Sequence, residues 1–242
     1  FLSRIANRIA WSEAKDDVIQ EVYPRQLGVG IPDGCLRAIH MANLLMDTAT
    51  SPGPLHPTLE DWVIVNLDQK CAHNFYSRST AQQRWDALPS DACKRTAALH
   101  RALYSHPIDV RAKTRESYEH IAKSLDGGIQ GDPITPGSYC LVLNELIREI
   151  EAGLHPPGEA SLGYIKEIQD DILIVGKKTK IIPLLEEIKE KIKRIGGELN
   201  ESKCFMFAPN GDYDGFPAWI TKGTTGNQMK GVEADRQNTD EG

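Results

Sequence analysis

Tyr164-Ile165-Lys166-Glu167-Ile168-Gln169-Asp170-Asp171-Ile172-Leu173-Ile174-Val175-Gly176 decides how the rest of the chain is read. Two short apolar runs, rich in β-branched residues, flank an acidic pair. The pattern predicts a strand, a tight turn carrying Asp170 and Asp171, and a second strand. Ile172 to Val175 has no polar alternation, the mark of a strand buried on both faces. Two adjacent carboxylates at the mouth of such a strand repel each other and lose solvation. They stay ionised at low cost only with a cation between them. Asp is also a common turn residue. The pair therefore has two readings, a divalent-metal site or a solvated acidic turn.

Downstream of the hairpin stand Lys177, Lys178 and Lys180, then an amphipathic helix. Its apolar stripe is Leu184, Ile188, Ile192 and Ile195, with Glu187–Lys191 and Glu190–Arg194 as i,i+4 pairs on the wet side. Gly196-Gly197 ends it. Lys203 to Phe207 reads as a strand, followed by a Pro209–Asp212 turn. Upstream, Tyr139 to Ile150 reads as an apolar helix, stopped by Gly153 and Pro156-Pro157 and preceded by a turn-rich Gly127–Pro136 segment. Residues 106–126 read as a loop or a weak hairpin. Ser77–Ala87 and Asp91–Leu103 read as surface helices. Trp62 to Leu67 is a strand that ends on Asp68, and a carboxylate there is either well placed for ligand chemistry or a simple cap. Residues 48–58 are a loop by composition. Cys35 to Met46 is a helix with Leu36, Ile39 and Leu44 inward. Residues 1 to about 22 are helical, with Leu2, Ile5 and Ile9 at helical spacing and Arg4 and Arg8 on another face. Trp62, Trp85 and Trp219 read as packing residues.

The totals bound the function. The 242 residues suffice for a sizeable core. Net charge is −6, Asp+Glu 34 against Lys+Arg 28, unlike the basic surface of most nucleic-acid binders. A nucleic-acid function therefore needs metal ions to neutralise phosphate, or basic parts outside this chain. Five scattered cysteines, with no zinc spacing, read as free thiols in a reducing compartment. No run is apolar and long enough to span a membrane and no signal peptide is evident, so the expected location is intracellular, cytoplasmic or nuclear. The chain opens on Phe1 rather than Met and reads as a fragment. No histidine pair has a metal spacing such as HExxH, and no G-x-S-x-G elbow is present.

Taken together, the acidic stretches resemble the palm of a reverse transcriptase of the non-LTR retrotransposon type. Val65-Asn66-Leu67-Asp68-Gln69-Lys70-Cys71-Ala72-His73-Asn74 resembles that family's first acidic motif, L-D-x-x-x-A-F-N. Gly128-Ile129-Gln130-Gly131-Asp132-Pro133 resembles G-x-x-Q-G-D-P, one residue short. Ile168-Gln169-Asp170-Asp171 resembles the Y-x-D-D hairpin, with Ile168 in place of the aromatic. Gly197-Glu198-Leu199-Asn200-Glu201-Ser202-Lys203-Cys204 resembles G-x-x-L-N-x-x-K-C, and Gln26-Leu27-Gly28-Val29-Gly30 resembles a stretch found before the first motif. The likeness runs from about residue 1 to 232.

The resemblance implies an α+β, polymerase palm-like fold: a small antiparallel sheet packed on helices, with a partial fingers region and no clear thumb. It divides the chain into a helical fingers remnant with its connecting loop (1–57), the palm (58–232) and a polar tail (233–242). It implies RNA-directed DNA polymerisation by two-metal catalysis, with an RNA template, a DNA primer and dNTPs as partners, and the DNA integration of a retroelement as setting. Asp68 and Asp170 would bridge two Mg²⁺ ions, or Mn²⁺, and Asp171 would support them. Lys203 would serve the pyrophosphate. Gln130 and Gly131 would pack on nucleotide and template. His73 occupies the place of an aromatic that reads the sugar. The basic fingers and the thumb would belong to other parts of a longer polyprotein. Two alternatives stand beside this reading: a catalytically silent remnant or interaction module of the same family, and a two-metal phosphatase or nuclease.

Overall fold

The computed structural model describes residues 2–50, 61–114, 117–155 and 163–222. The acidic hairpin forms as β4 (Gly163–Ile168) and β5 (Asp171–Lys177), antiparallel, with Ile168 opposite Asp171. On its other side β5 pairs antiparallel with β1 (Trp62–Leu67), Leu67 opposite Ile172. β6 (Phe205–Phe207) lies antiparallel to β1, and β7 (Thr221–Lys222) adds a parallel edge, giving the order β4-β5-β1-β6-β7. The architecture is the expected α+β one, a small, mostly antiparallel sheet packed on helices.

Strand periodicity sorts the side chains. Val63, Val65, Leu67, Ile165, Ile172 and Ile174 enter the main core. That side is covered by α6 (Thr135–Leu154) and α7 (Lys178–Arg194). α6 begins earlier than its apolar run and passes through Gly153. The buried stripe of α7 is Ile181, Leu185, Ile188 and Ile192, while Leu184 and Ile195 are only partly covered. Glu187 pairs with Lys191 at 3.0 Å, but Glu190 is held by Lys193 at 2.7 Å rather than by Arg194. Of the lysines after the hairpin, Lys178 is paired with Asp212 at 2.6 Å.

α1 (Leu2–Val22), α4 (Arg78–Ala87) and α5 (Asp91–Tyr104) pack on one another and on α6. Ser77 and Ser90 cap α4 and α5 by accepting from the Thr80 and Cys93 N–H groups. α1 enters the core on Ala14, Val18 and Val22, while Leu2, Ile5 and Ile9 face outward. Residues 106–126 contain a hairpin, β2 (Ile108–Lys113) and β3 (Tyr118–Ser124). Its base is held by the Arg78 guanidinium, which donates to the carbonyls of His106, Ser124, Asp126 and Gly127.

On the far face of the sheet, Ile64, Val175 and Phe207 form a small second cluster. α2 (Gly34–Thr50) lies over this side through Ala42, and its Ala38 is 1% exposed. The inward placement of Leu36, Ile39 and Leu44 is corrected: they are 51%, 53% and 68% exposed. The small Ala42 lets the helix approach the sheet, and these three bulkier side chains are left outside. Residues 48–50 belong to α2; the rest of the expected loop, like the tail 233–242, lies outside the described residues.

Trp85 is fully buried, and its indole N–H donates to Ser138 Oγ at 2.9 Å. Trp85→Ala is expected to cost ~3–5 kcal/mol in urea unfolding. Leu36→Ser and Ile39→Ser should each change stability by under about 0.5 kcal/mol. A core-sized loss from either would place α2 the other way round.

Candidate active site

Leu67 and Ile172 both face the main core, so the next residue on β1 and the preceding one on β5 face the other way. Asp68 and Asp171 are therefore brought side by side, one step beyond the Leu67–Ile172 pair and on the same face as Asn66, away from the main core. Asp170 adjoins them in the turn, which Gln169 makes with a left-handed φ of 58°. Burial pushes the Asp171 carboxyl up, and the charges of Asp170 and Asp68 push it further; the Asn66 amide and Lys203 pull it back. Lys203 Nζ lies 4.0 Å from Asp68 Oδ1 on a side chain that is 70% exposed. Asp68, Asp170, Asp171 and Lys203 thus share one electrostatic neighbourhood.

Backbone hydrogen bonds gather the quoted stretches around this spot. Beyond β1, Gln69 bridges to Leu199, Lys70 N–H donates to Glu198 C=O, and Asn200 N–H donates to Asp68 C=O, both at 2.8 Å. The segment 197–204 is thereby laid along the first acidic strand. Gly128 N–H donates to His73 C=O at 2.8 Å and Gly127 N–H to Tyr76 C=O at 2.7 Å, which ties the glycine-rich turn to α3 (Ala72–Phe75). Gln26 forms a parallel bridge to Glu167, and Leu27 N–H donates to Glu167 C=O at 2.8 Å.

His73 stands edge-on to Tyr139, ring centroids 5.1 Å apart. Burial lowers its pKa against the opposing pull of Asp170, so it is close enough to sense that carboxylate. Gln130 and Gly131 lie in the glycine-rich turn, on its solvent side. Both are exposed, and the space above Gly131, at φ +81°, faces Arg4. The residue that anchors their turn is Asp132, 6% exposed, which accepts from Asn7 Nδ2 at 2.7 Å and from the Tyr104 hydroxyl. The remaining histidine of note, His100, is buried against Gln82.

The donor set consists of oxygen ligands that repel one another, the chemistry suited to Mg²⁺. Among the described residues no three His, Cys, Asp or Glu side chains are already closed into a metal-holding group. A bound ion would have to draw the partly exposed carboxylates inward.

Sequence reasoning passed over the buried polar groups beneath the turn. Glu167 is fully buried, and its signal was its phase: it continues the Gly163, Ile165 row of β4 that points inward. Burial pushes its carboxyl up to about 8, against the Gln26 hydrogen bond and the charge of Arg25, which lower it. The folded chain keeps this proton at pH values where the unfolded chain, near 4.5, has lost it. The stabilisation is whole below the unfolded value and declines as pH rises towards the folded one. Glu167→Gln is expected to flatten that decline, which can reach about 1.4 kcal/mol per pH unit in the wild type. Urea unfolding of both chains from about pH 5 to pH 8 reads this directly.

No protein-family model and no curated protein matches the chain. Among solved structures it is similar to telomerase from Candida albicans in complex with a TWJ fragment of telomeric RNA, with a TM-score of 0.59 and 12% identity over 89% of this chain and 36% of that one. Telomerase from Candida tropicalis in complex with a TWJ fragment of telomeric RNA gives 0.54 and 12% over 84% and 33%; the apo form gives 0.56 and 9% over 84% and 36%. The chain therefore spans about a third of the length of these telomerases. The likeness is one of fold: a small antiparallel sheet packed on helices, compatible with a polymerase palm.

Proposed function

We propose that this chain is the palm of an RNA-directed DNA polymerase of the non-LTR retroelement type, one part of a longer protein. The observation that carries the reading is the convergence just described. Stretches between Gln26 and Cys204 that resemble one family's motifs meet through backbone hydrogen bonds, and Asp68, Asp170 and Asp171 lie together at their centre. An RNA template, a DNA primer and a dNTP are the partners under this reading.

Asp68 and Asp170 would hold two Mg²⁺ ions, or Mn²⁺, with Asp171 in support. Such ions supply activation of the primer 3′-hydroxyl and neutralisation of the leaving pyrophosphate. The chain's own residues do the rest. Lys203, exposed and bound only loosely to Asp68, is free to turn towards the pyrophosphate and give it charge or a proton. His73, braced by Tyr139, would lie against the sugar. The turn with Gln130 and Gly131, tied to His73 through Gly128, would border the nucleotide and template. The net charge of −6 leaves the grip on phosphate backbone to basic surface outside this chain.

Primer extension on a homopolymer RNA template with Mg²⁺ or Mn²⁺ tests the reading. Extension is expected, and Asp68→Asn or Asp170→Asn should lower it by at least ~100-fold. A folded wild-type chain that extends nothing and binds no Mn²⁺ would favour the silent remnant. Nucleotide or phosphate release without extension would favour the phosphatase or nuclease. His73→Phe should raise the preference for dNTP over rNTP by roughly tenfold, measured by single-nucleotide incorporation.

A further inference from the structure

The acidic turn is held from behind by a side chain far away in sequence. Gln26 is 0% exposed. Its Oε1 accepts from Gly28 N–H and from Gln169 N–H, each at 2.8 Å. Its Nε2 donates to Glu167 Oε2 at 2.9 Å and to Gln169 C=O at 3.3 Å. One amide thus binds the peptides on both sides of Gln169, the residue with a left-handed φ of 58°. A non-glycine residue keeps such a backbone only where its surroundings over-determine it. The next carbonyl, that of Asp170, accepts from Gln69 Nε2 at 3.1 Å, and Gln69 also donates to the Tyr139 hydroxyl. Gln69 too is buried, at 3% exposed.

The segment carrying Gln26 is also fitted to the turn by shape. A Cβ added at Gly28 would lie 2.6 Å from Gln169 N and 2.9 Å from Ile168 C. Leu27 N–H and Arg25 C=O bond the two backbone groups of Glu167, at 2.8 and 2.9 Å, which locks the register of the segment on β4. Peptide planes fixed on both sides of Gln169 and beyond Asp170 leave the Cα–Cβ directions of Asp170 and Asp171 little freedom. Nothing in the Gln26 contacts touches a carboxylate of the acidic cluster directly; the influence runs through the main chain.

We propose that Gln26 is a positioning residue that, through the backbone of Gln169, aims the Asp170 and Asp171 carboxylates at their metal. This rests on the reading of those carboxylates as metal ligands. Partners that orient ligands are expected to matter for affinity as well as for folding, because a carboxylate free to wander pays for its ordering when the ion binds.

The test compares wild type, Gln26→Met, Gly28→Ala and Glu167→Gln as full chains, by Mn²⁺ titration followed by electron paramagnetic resonance and by amide hydrogen exchange. Gln26→Met keeps the bulk and removes every bond. Gly28→Ala keeps Gln26 and pushes on the turn. Glu167→Gln keeps an acceptor for Gln26 Nε2. The first two are expected to weaken Mn²⁺ binding roughly 10- to 100-fold, and the third by less than about twofold. In Gln26→Met the Gln169 amide should exchange much faster while those of Ile172 and Ile174 stay protected. A folded Gln26→Met chain with wild-type Mn²⁺ affinity overturns the proposal, and so does an unchanged Gln169 amide. Should Gln26→Met not fold, Gly28→Ala decides on the same Mn²⁺ criterion. A wild type that binds no Mn²⁺ overturns the metal reading, and with it the aim at a metal; the Gln169 amide then still tells whether Gln26 holds the turn.

Discussion

The pairing of Leu67 with Ile172 is the constraint on which everything else depends. Both side chains are fully buried, and in a strand the neighbours of an inward residue point outward. Burying this pair therefore presents Asp68 and Asp171 together on the opposite face. A slip of one residue would turn Asp68 into the core and break the cluster. Val65 and Ile174, opposite each other and equally buried, hold the same register two residues further along. The force that assembles the charged site is thus the hydrophobic effect acting on its neighbours.

Assembly in this way leaves repulsion uncompensated. Asp171 feels burial and two like charges, with only Asn66 and a loosely placed Lys203 in opposition. Beneath the turn lies the reverse arrangement, a layer of buried neutral groups: Gln26, Gln69, Tyr139 and a Glu167 whose proton burial retains. Neutral amides can hold the backbone in place without adding charge to a site that already has too much of one sign. A wholly ionised Glu167 in that layer would work against both the fold and the acids above it.

Much of the fold was legible locally. The hairpin, β1 and the helices α4, α5 and α7 were evident because each carries its own periodicity or cap. Ser77 and Ser90 mark their helices by hydrogen bonds three residues long. α2 misled because Leu36, Ile39 and Leu44 face out, while Ala38 is buried and Ala42 packs on the second cluster. Helical spacing shows which residues share a face, but not which face a neighbour covers. The stripe of α7 slipped for a related reason: Ile181 and Leu185 lie deeper than Leu184 and Ile195. Glu167 and Gln26 were passed over since a polar residue is read as exposed unless its partner is known, and these partners lie 141 residues apart.

By itself the sequence determined the acidic turn, the apolar strands on either side of it and the resemblance of scattered stretches to one family's motifs. These are properties of neighbours along the chain, set by side-chain period and turn chemistry. Only the tertiary structure decided that Asp68 shares a face with Asp171, that Lys203 and His73 lie close by, and that Gln26 underlies the turn. Those relations arise from strand register and from buried polar groups finding partners, and both are fixed when distant segments exclude water together.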